Sequence, residues 1–307
     1  MTAPLAEIAD RVVARAPGKI NLYLQAGAPG ADGYHPLATV FHAVSVHEDV
    51  SVTPNPGGGT VITIKGAPEG SVPLGPDNLA WRAADALARH MGTVPDVRID
   101  ITKGVPVAGG MGGGSADAAA TLVALDALWG CDLAGSELAA IGAQLGADVP
   151  FCLMGGTAMG TGRGDELTPV LARGALHWVL AVADEGLSTP SVYQRLDELR
   201  DEPMTPPQVP VSLLQALARG GAAEIAAHLA NDLQQAALDL RPSLQHTLDA
   251  GMAAGAMASL VSGSGPTVAF LVDSAQIAEQ VAAEVAEVSG LVLTAHGPAP
   301  GARVIAH

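Results

Sequence analysis

The chain has 307 residues, of which 49% are hydrophobic but only 3% aromatic, and it carries 31 acidic against 15 basic residues. This length predicts two packed domains or one large α/β unit, with a core of aliphatic side chains. The formal net charge of −16 and the lack of a Lys/Arg cluster argue against a nucleic-acid partner. An anionic substrate would need backbone N–H groups, a few cations or a metal ion to offset this charge locally.

Cysteine content and segment hydropathy bear on the compartment. Cys131 and Cys152 match no metal or redox spacing, and two thiols cannot form a disulfide framework, which indicates a reducing environment. The N-terminal stretch MTAPLAEIADRVV has early acidic residues and no hydrophobic core segment, and no apolar run reaches the length of a membrane span. We therefore expect a cytoplasmic protein that has no membrane partner.

The N-terminal part of the chain predicts a mainly antiparallel sheet. Residues 12–26 are apolar and interrupted by Pro17-Gly18, which predicts two strands flanking a tight turn. Strand-like patterns continue over residues 38–46, 50–53 and 61–65, separated by turns rich in proline and glycine.

The remaining chain predicts alternating helices and strands. We place the end of the first domain at residue 169. Before it, the pattern predicts a helix capped by Asn78, a strand over 97–101 and the glycine-rich run 106–117. A helix from about Ser115 to residue 129, a helix over 136–145 and a returning hairpin over 146–165 follow. The second domain, residues 170–307, is predicted to contain a strand over 176–183, a helix from Ser188, a Pro-rich linker over 202–210, helices up to Gly255, two strands, a helix and a strand over 291–297.

The run PVAGGMGGGSAD, residues 106–117, is the strongest local indication of function. Glycine lets the backbone approach an anion without obstruction by a Cβ atom. A loop that leads into a helix N-terminus also directs unpaired N–H groups and the positive end of the helix dipole at whatever it encloses. The run therefore predicts a phosphate site, and the alternatives are a flexible hairpin or a close helix contact. It is not a Walker A loop, because no Gly-Lys-Ser/Thr follows.

Ordered motifs resemble those of the GHMP kinases: PGKINL at residues 17–22, the glycine-rich run, and GSGP at 263–266. ADGYHPL at 31–37, PDNLAWRAA at 76–84 and LGADVPF at 145–151 narrow the resemblance to members that phosphorylate a cytidine-diphosphate-linked methylerythritol. The resemblance implies an α+β fold with an N-terminal mixed or antiparallel sheet domain with crossover helices and a C-terminal ferredoxin-like domain. It further implies ATP and Mg²⁺, a small-molecule substrate, and a monomer or weak homodimer.

The resemblance makes Asp148 the catalytic aspartate and Lys19 its partner lysine. A carboxylate beside a cation can accept the hydroxyl proton and hold the attacking oxygen in line with the phosphate. From the residues alone, the favoured interpretation of Asp148 is a helix N-cap before Val149-Pro150. The favoured interpretation of Lys19 is a solvated surface group.

The resemblance also implies that Tyr34 and His35 recognise cytidine, that Tyr193 helps to cover the base, and that Asn21 touches the substrate. An aromatic ring can face the base, and an imidazole can hydrogen-bond to its polar edge. The alternative is structural: Tyr34 packs under a glycine-rich turn that His35 caps.

The residues that the resemblance implies for ATP surround the glycine-rich run. They are Pro106, Val107, Ala108, Gly109, Gly110, Met111, Gly112, Gly113, Gly114, Ser115 and Ala116, with Asn78 and Lys103 on the adenine side. Ser115 is expected to bond a phosphate or reach Mg²⁺, or only to cap the helix. The alternatives for Asn78 and Lys103 are a helix cap and a strand-end lysine. The tripeptide 263–265 is expected to close over the phosphates or substrate, or to be a turn. We identify no metal ligand.

The loop departs from the family pattern at two places. Ala108 stands where the pattern usually begins with another glycine, and we expect its φ to be negative because its methyl group disfavours positive φ. Ala116-Asp117 replaces the commoner Ser-Asn pair. Asp117 places a carboxylate near the expected phosphates, where it would cap the helix or approach the metal.

Three functions remain open at this point. The first is ATP-dependent phosphorylation of the 2-hydroxyl of the cytidine-diphosphate-linked methylerythritol, with release of ADP, in non-mevalonate isoprenoid biosynthesis. The second keeps the fold but has a homoserine, mevalonate-type or sugar acceptor, which GYHPL and GADVPF disfavour. The third is a non-catalytic nucleotide-binding or regulatory protein, against which the presence of Lys19 and Asp148 counts.

Overall fold

The computed structural model describes residues 10–31, 33–200 and 205–307. Part of the ADGYHPL motif, part of the predicted Pro-rich linker and most of the N-terminal stretch lie outside the described residues. The strands are β1 Val12–Ala26, β2 Leu37–Pro54, β3 Val61–Lys65, β4 Val97–Thr102, β5 Thr157–Thr161, β6 Glu166–Pro169, β7 Leu176–Val182, β8 Ala230–Asn231, β9 Ala258–Val261, β10 Thr267–Val272, β11 Leu291–Gly297 and β12 Arg303–Ala306. The helices are α1 Leu79–Met91, α2 Gly113–Trp129, α3 Gly135–Ala143, α4 Val149–Met154, α5 Thr189–Leu199, α6 Val211–Arg219, α7 Ala222–Ala226, α8 Gln234–Leu240, α9 Ser243–Ala253 and α10 Ala275–Val285.

The first sheet is built on two long antiparallel strands, β1 and β2, and has the order β12-β1-β2-β4-β3. The hairpin β5–β6 pairs with β2, and β8 pairs with β1. Among the described strands of this sheet, only the β3–β4 and β1–β8 pairs are parallel. The predicted antiparallel sheet is confirmed, but residues 12–26 form one strand instead of two, and residues 38–53 also lie in one strand. The pairing shifts register between Pro17 and Gly18, because proline cannot donate to the ladder there. This irregularity changes the direction of the backbone just before Lys19.

The second sheet has the order β11-β7-β10-β9, and every neighbouring pair in it is antiparallel. Helices α5 to α9 connect β7 to β9, and α10 connects β10 to β11. This succession confirms the predicted ferredoxin-like arrangement. A division of the chain at residue 169 does not separate the two sheets completely, because β8 and the unpredicted β12 both return to β1.

Helix α2 lies at the centre of the first core. Ten of its residues are buried, half of them alanine, and these small side chains pack among α1, α3 and the apolar residues of β1, β2 and β4. A separate apolar cluster joins the two sheets through Ile20 and Leu22 of β1 and Trp178 and Leu180 of β7. The site described below lies where the sheets meet.

The segment 146–165 differs from the predicted hairpin. Its first part forms the short helix α4, with Pro150 in the first turn, and only the chain from β5 onward turns back as a hairpin. Proline is well suited to a first helical turn, because its missing N–H would have no partner there. None of the helices in the described parts of the chain is long and apolar enough to cross a membrane.

Candidate active site

The glycine-rich loop before α2 alternates in backbone conformation. Ala108, Gly110 and Gly112 have φ values of 58°, 73° and 73°, in the left-handed region. Such an alternation turns successive N–H groups toward one concave side, which binds anions. Gly112 is the N-cap of α2 and provides no side-chain cap, so the first N–H groups of the helix are available to a ligand. The expectation of a negative φ at Ala108 is therefore wrong, because the alternation extends back to this residue.

Two cavities lie on either side of this loop. The nucleotide-side cavity has a volume of about 330 Å³ and is lined by Ser71, Val72, Pro73, Lys103, residues 106–114 and Asp117. The acceptor-side cavity has a volume of about 230 Å³ and its lining includes Lys19, Asn21, Thr39, Phe41, Asp148, Arg163, Thr189, Tyr193, Gly263 and Ser264. Gly110 and Gly112 line both cavities, so the loop is a shared wall that an anion can reach from either side.

Lys19 and Asp148 meet in the acceptor-side cavity. Lys19 Nζ lies 3.6 Å from Asp148 Oδ2, and the Lys19 N–H donates to Met111 O at 2.9 Å, which joins β1 to the loop. Asp148 precedes α4, but its carboxylate makes no capping hydrogen bond. Asp148 therefore occupies the N-cap position of α4, as the residues alone predict, but it does not cap the helix through its side chain. The interpretation of Lys19 as a surface group is wrong, because Lys19 is only 7% exposed.

Asn21 holds the Lys19 ammonium in place. Lys19 Nζ donates to Asn21 Oδ1 at 3.0 Å, while Asn21 Nδ2 donates to Thr39 Oγ1 at 2.8 Å. Thr39 Oγ1 in turn donates to Tyr23 O at 2.7 Å. This chain of bonds fixes which end of the amide faces Lys19.

His35 and Tyr193 form one aromatic pair, and the exposed Tyr34 ring lies against Arg163. The rings of His35 and Tyr193 are 4.9 Å apart, and burial raises the pKa of Tyr193 to about 12, so its hydroxyl stays protonated. His35 Nδ1 lies 2.8 Å from Gly27 O and must donate to it, and Nε2 lies 3.4 Å from the Asp197 carboxylate. Tyr34 is 58% exposed, and the Arg163 guanidinium lies 3.9 Å from its ring centre.

Lys103 belongs to a group that we call the buried ion cluster, formed by Glu48, Lys103 and Asp117. Lys103 Nζ lies 2.6 Å from Glu48 Oε1 and 2.7 Å from Asp117 Oδ2, and the three side chains are at most 4% exposed. Burial raises the pKa of Glu48 to about 7, with a further contribution from Asp117, and burial raises that of Asp117 to about 6. Burial lowers the pKa of Lys103, but the two carboxylates outweigh it and the net direction is upward. Asp117 therefore neither caps α2 nor extends into solvent.

The other residues predicted for ATP have different surroundings. Asn78 caps α1, accepting from Ala80 N at 2.8 Å, and its amide donates to Pro73 O at 2.7 Å, so it supports the cavity wall from behind. Ser115 is the third residue of α2, and so it is not the N-cap. Ser264 Oγ lies 2.8 Å from Thr189 Oγ1, at the edge of the acceptor-side cavity.

Sequence reasoning missed Glu48, Thr39 and Arg163. Glu48 is completely buried, and it stands between Val46 and Val50 in the alternating apolar positions of β2. A charged residue at such a position was the signal that could have found it. Arg163 lies between two glycines in the β5–β6 turn, where its spacing gave no sign that the turn reaches the cavity. Thr39 gave no signal, because threonine is common in strands.

Comparisons with known proteins agree with this geometry. A family model described as the GHMP kinases N terminal domain matches residues 78–156, and one described as GHMP kinases C terminal matches residues 213–289. The 4-diphosphocytidyl-2-C-methyl-D-erythritol kinase of Nocardia farcinica (strain IFM 10152) is 53% identical over 98% of both chains. A crystal structure of 4-(cytidine 5'-diphospho)-2C-methyl-D-erythritol kinase is 33% identical, with a TM-score of 0.76, and the match covers 92% of this chain and 98% of that one.

A homoserine kinase structure from Cytophaga hutchinsonii is similar in fold alone, with 18% identity, a TM-score of 0.78 and coverage of 99% and 100% of the two chains. The match to the methylerythritol kinases extends over nearly the whole chain. The chain therefore belongs to the GHMP kinases and, within them, to the 4-diphosphocytidyl-2-C-methyl-D-erythritol kinase family.

Proposed function

We infer that the protein transfers the γ-phosphoryl group of ATP to the 2-hydroxyl of 4-diphosphocytidyl-2-C-methyl-D-erythritol, giving the 2-phosphate and ADP in isoprenoid precursor synthesis. The observation that carries this inference is the shared wall between the cavities. Gly110 and Gly112 line both, so a phosphate bound at the loop lies between a nucleotide on one side and the Lys19–Asp148 pair on the other.

Positioning accounts for most of the proposed catalysis, because phosphoryl transfer has a loose transition state with little covalent chemistry for the protein to perform. Asp148 accepts the proton of the attacking hydroxyl and holds its oxygen toward the loop. Lys19, fixed by Asn21 at 3.0 Å, places a positive charge beside the transferred group. The N–H groups of the loop and of the first turn of α2 bind the phosphate oxygens.

The acceptor fits the remaining lining of its cavity. Tyr193 lines this cavity and offers an aromatic face to the cytosine ring, with the His35 ring packed 4.9 Å from its own. The exposed ring of Tyr34 meets the Arg163 guanidinium, which belongs to the lining, and offers a second aromatic face. Arg163 brings a guanidinium to the same cavity, and a guanidinium suits the diphosphate of this acceptor.

Mg²⁺ is proposed to enter with ATP. This ion takes oxygen ligands and is usually held by one or two protein groups together with phosphates and water. The oxygen donors that would hold it are the Asp148 carboxylate, which makes no capping bond, and the Ser115 hydroxyl in the first turn of α2. Bound there, the ion would neutralise charge on the transferring phosphates.

We also propose a monomer or weak homodimer in the cytoplasm, as the resemblance to the GHMP kinases implies. Constant specific activity on dilution through the micromolar range would support this proposal.

The test of the proposed function is a coupled assay of ADP release with ATP and Mg²⁺. Four acceptors are compared: the cytidine-diphosphate-linked methylerythritol, the free polyol, homoserine and galactose. We expect turnover on the first alone. Turnover only on one of the others would assign a different acceptor, and ATP binding without ADP release on any of them would indicate a non-catalytic protein.

Asp148→Asn tests the assigned base. The amide keeps the size of the side chain but cannot take the proton, so we expect turnover to fall by a factor on the order of a hundred or more while both substrates still bind. Single-turnover kinetics and calorimetric binding measure the two effects separately. Wild-type turnover in the variant would remove Asp148 from the mechanism.

A further inference from the structure

The buried ion cluster joins three elements at one ammonium group. Glu48 comes from β2, Lys103 follows β4, and Asp117 lies in the second turn of α2. Lys103 and Asp117 also line the nucleotide-side cavity. The cluster therefore links β2 and the end of β4 to the helix that follows the phosphate loop.

Glu48 contacts both ends of the chain segment that contains this loop. Its Oε2 accepts the Gly104 N–H at 2.9 Å, just before the loop. After the loop, a Cβ atom on Gly113 would lie only 3.1 Å from Glu48 Oε1 and 3.4 Å from Lys103 Nζ. The carboxylate thus fits closely beneath the first residue of α2 while it binds the start of the loop.

Charge balance does not explain why Glu48 is present. Asp117 alone would neutralise Lys103, and burial of a second carboxylate is unfavourable. Its negative charge beside a cavity that receives phosphates also opposes their binding. Since both electrostatic effects are unfavourable, the contribution of Glu48 lies in the geometry that its two oxygens impose on Lys103 and Gly104.

We propose that Glu48 is a positioning residue for ATP, which holds Lys103 and Gly104 so that the phosphate loop keeps its nucleotide-binding curvature. This rests on the proposed function in that ATP binds at this loop. It predicts a selective defect, because the Lys19–Asp148 pair and the acceptor-side residues lie outside the contacts of Glu48.

Glu48→Gln is the test, because glutamine has the same shape but only one acceptor oxygen and no charge. We expect the Kd for a non-hydrolysable ATP analogue with an imido bridge, measured by calorimetry with Mg²⁺, to rise at least fivefold. The KM of the acceptor should change less than twofold. Loss of negative charge by itself would have the opposite sign and tighten binding. Unchanged or tighter binding of the analogue, or equal losses for both ligands, would overturn the proposal.

Asp49→Asn is the matched control, since Asp49 is the next residue on β2 and pairs with Arg15 at 2.7 Å, away from the loop. It should leave the Kd of the analogue unchanged. If Glu48→Gln does not fold, Asp117→Asn releases the α2 contact of the cluster and should show the same ATP-selective loss. Failure of both variants to fold would assign the cluster to stability and overturn the proposal.

Binding of the analogue also separates this inference from the proposed function. A wild-type protein that binds the analogue but phosphorylates none of the acceptors refutes the proposed function, and the Glu48 test still applies. A wild-type protein that does not bind the analogue refutes both.

Discussion

Ala108 has a left-handed backbone conformation, with φ of 58°, although alanine is disfavoured there. Ala108→Gly should relieve this strain. The free energy gained in the folded state exceeds the cost of the additional conformational entropy that glycine has in the unfolded chain. We expect the free energy of unfolding, measured with urea, to rise by about 0.5–1 kcal/mol. Ala283→Gly, on the exposed side of α10, is the control and should lower it by about 1 kcal/mol. A loss of stability in both variants would contradict the strain.

Residues whose role depends on local chemistry could be predicted from the sequence, and those that depend on distant partners could not. The glycine-rich loop predicted an anion site because glycine permits its backbone angles. Lys103 was expected at the adenine side, but its surroundings depend on Glu48, 55 positions earlier, which arrives through the pairing of β2 with β4. No local pattern contains that information.

Elements were predictable where periodicity and caps agreed. The Asn78 cap of α1 and the strand β3 were predicted from the sequence and are confirmed. The prediction was wrong where proline or glycine marked a feature within an element: Pro17-Gly18 is a register shift in β1, and Gly146 to Pro150 leads into α4. Proline and glycine usually end a helix or strand, but a longer element can contain them when strand pairing or packing continues on both sides.

At the β2–β5 contact, a neutral histidine makes strand pairing sensitive to acid. His42 Nδ1 lies 2.9 Å from Thr157 Oγ1 across the pair, and complete burial lowers the His42 pKa to about 3. Between pH 6.5 and 3 the folded state binds fewer protons than the unfolded state. The stability from His42 is therefore fully present above pH 6.5 and is lost as the pH falls, by about 2 kcal/mol at pH 5.

His42→Asn isolates this effect, because asparagine can place its amide near Thr157 but does not titrate. In urea unfolding at pH 7.5, the variant should be less stable than wild type. At pH 5.0 the difference in free energy of unfolding between the two proteins should be smaller by about 2 kcal/mol. The comparison with wild type matters because Glu48 and Asp117 titrate in an overlapping pH range. Their pKa values are raised, so their contribution to stability increases as the pH falls, opposite to that of His42. A difference that does not change with pH would contradict a neutral buried His42.

For the whole molecule, the net charge of −16 opposes two anionic substrates, whereas Lys19 and Arg163 would attract phosphate groups that reach the acceptor-side cavity. Added salt screens the distant charges more than the close ones, because the Debye length falls from about 30 Å at 0.01 M to about 8 Å at 0.15 M. We therefore expect the KM of both substrates to fall about threefold over this range at constant free Mg²⁺, with kcat unchanged. Steady-state assays in increasing concentrations of potassium chloride measure this. A KM that rises with salt would mean that the cations of the cavity dominate the field that the substrates meet.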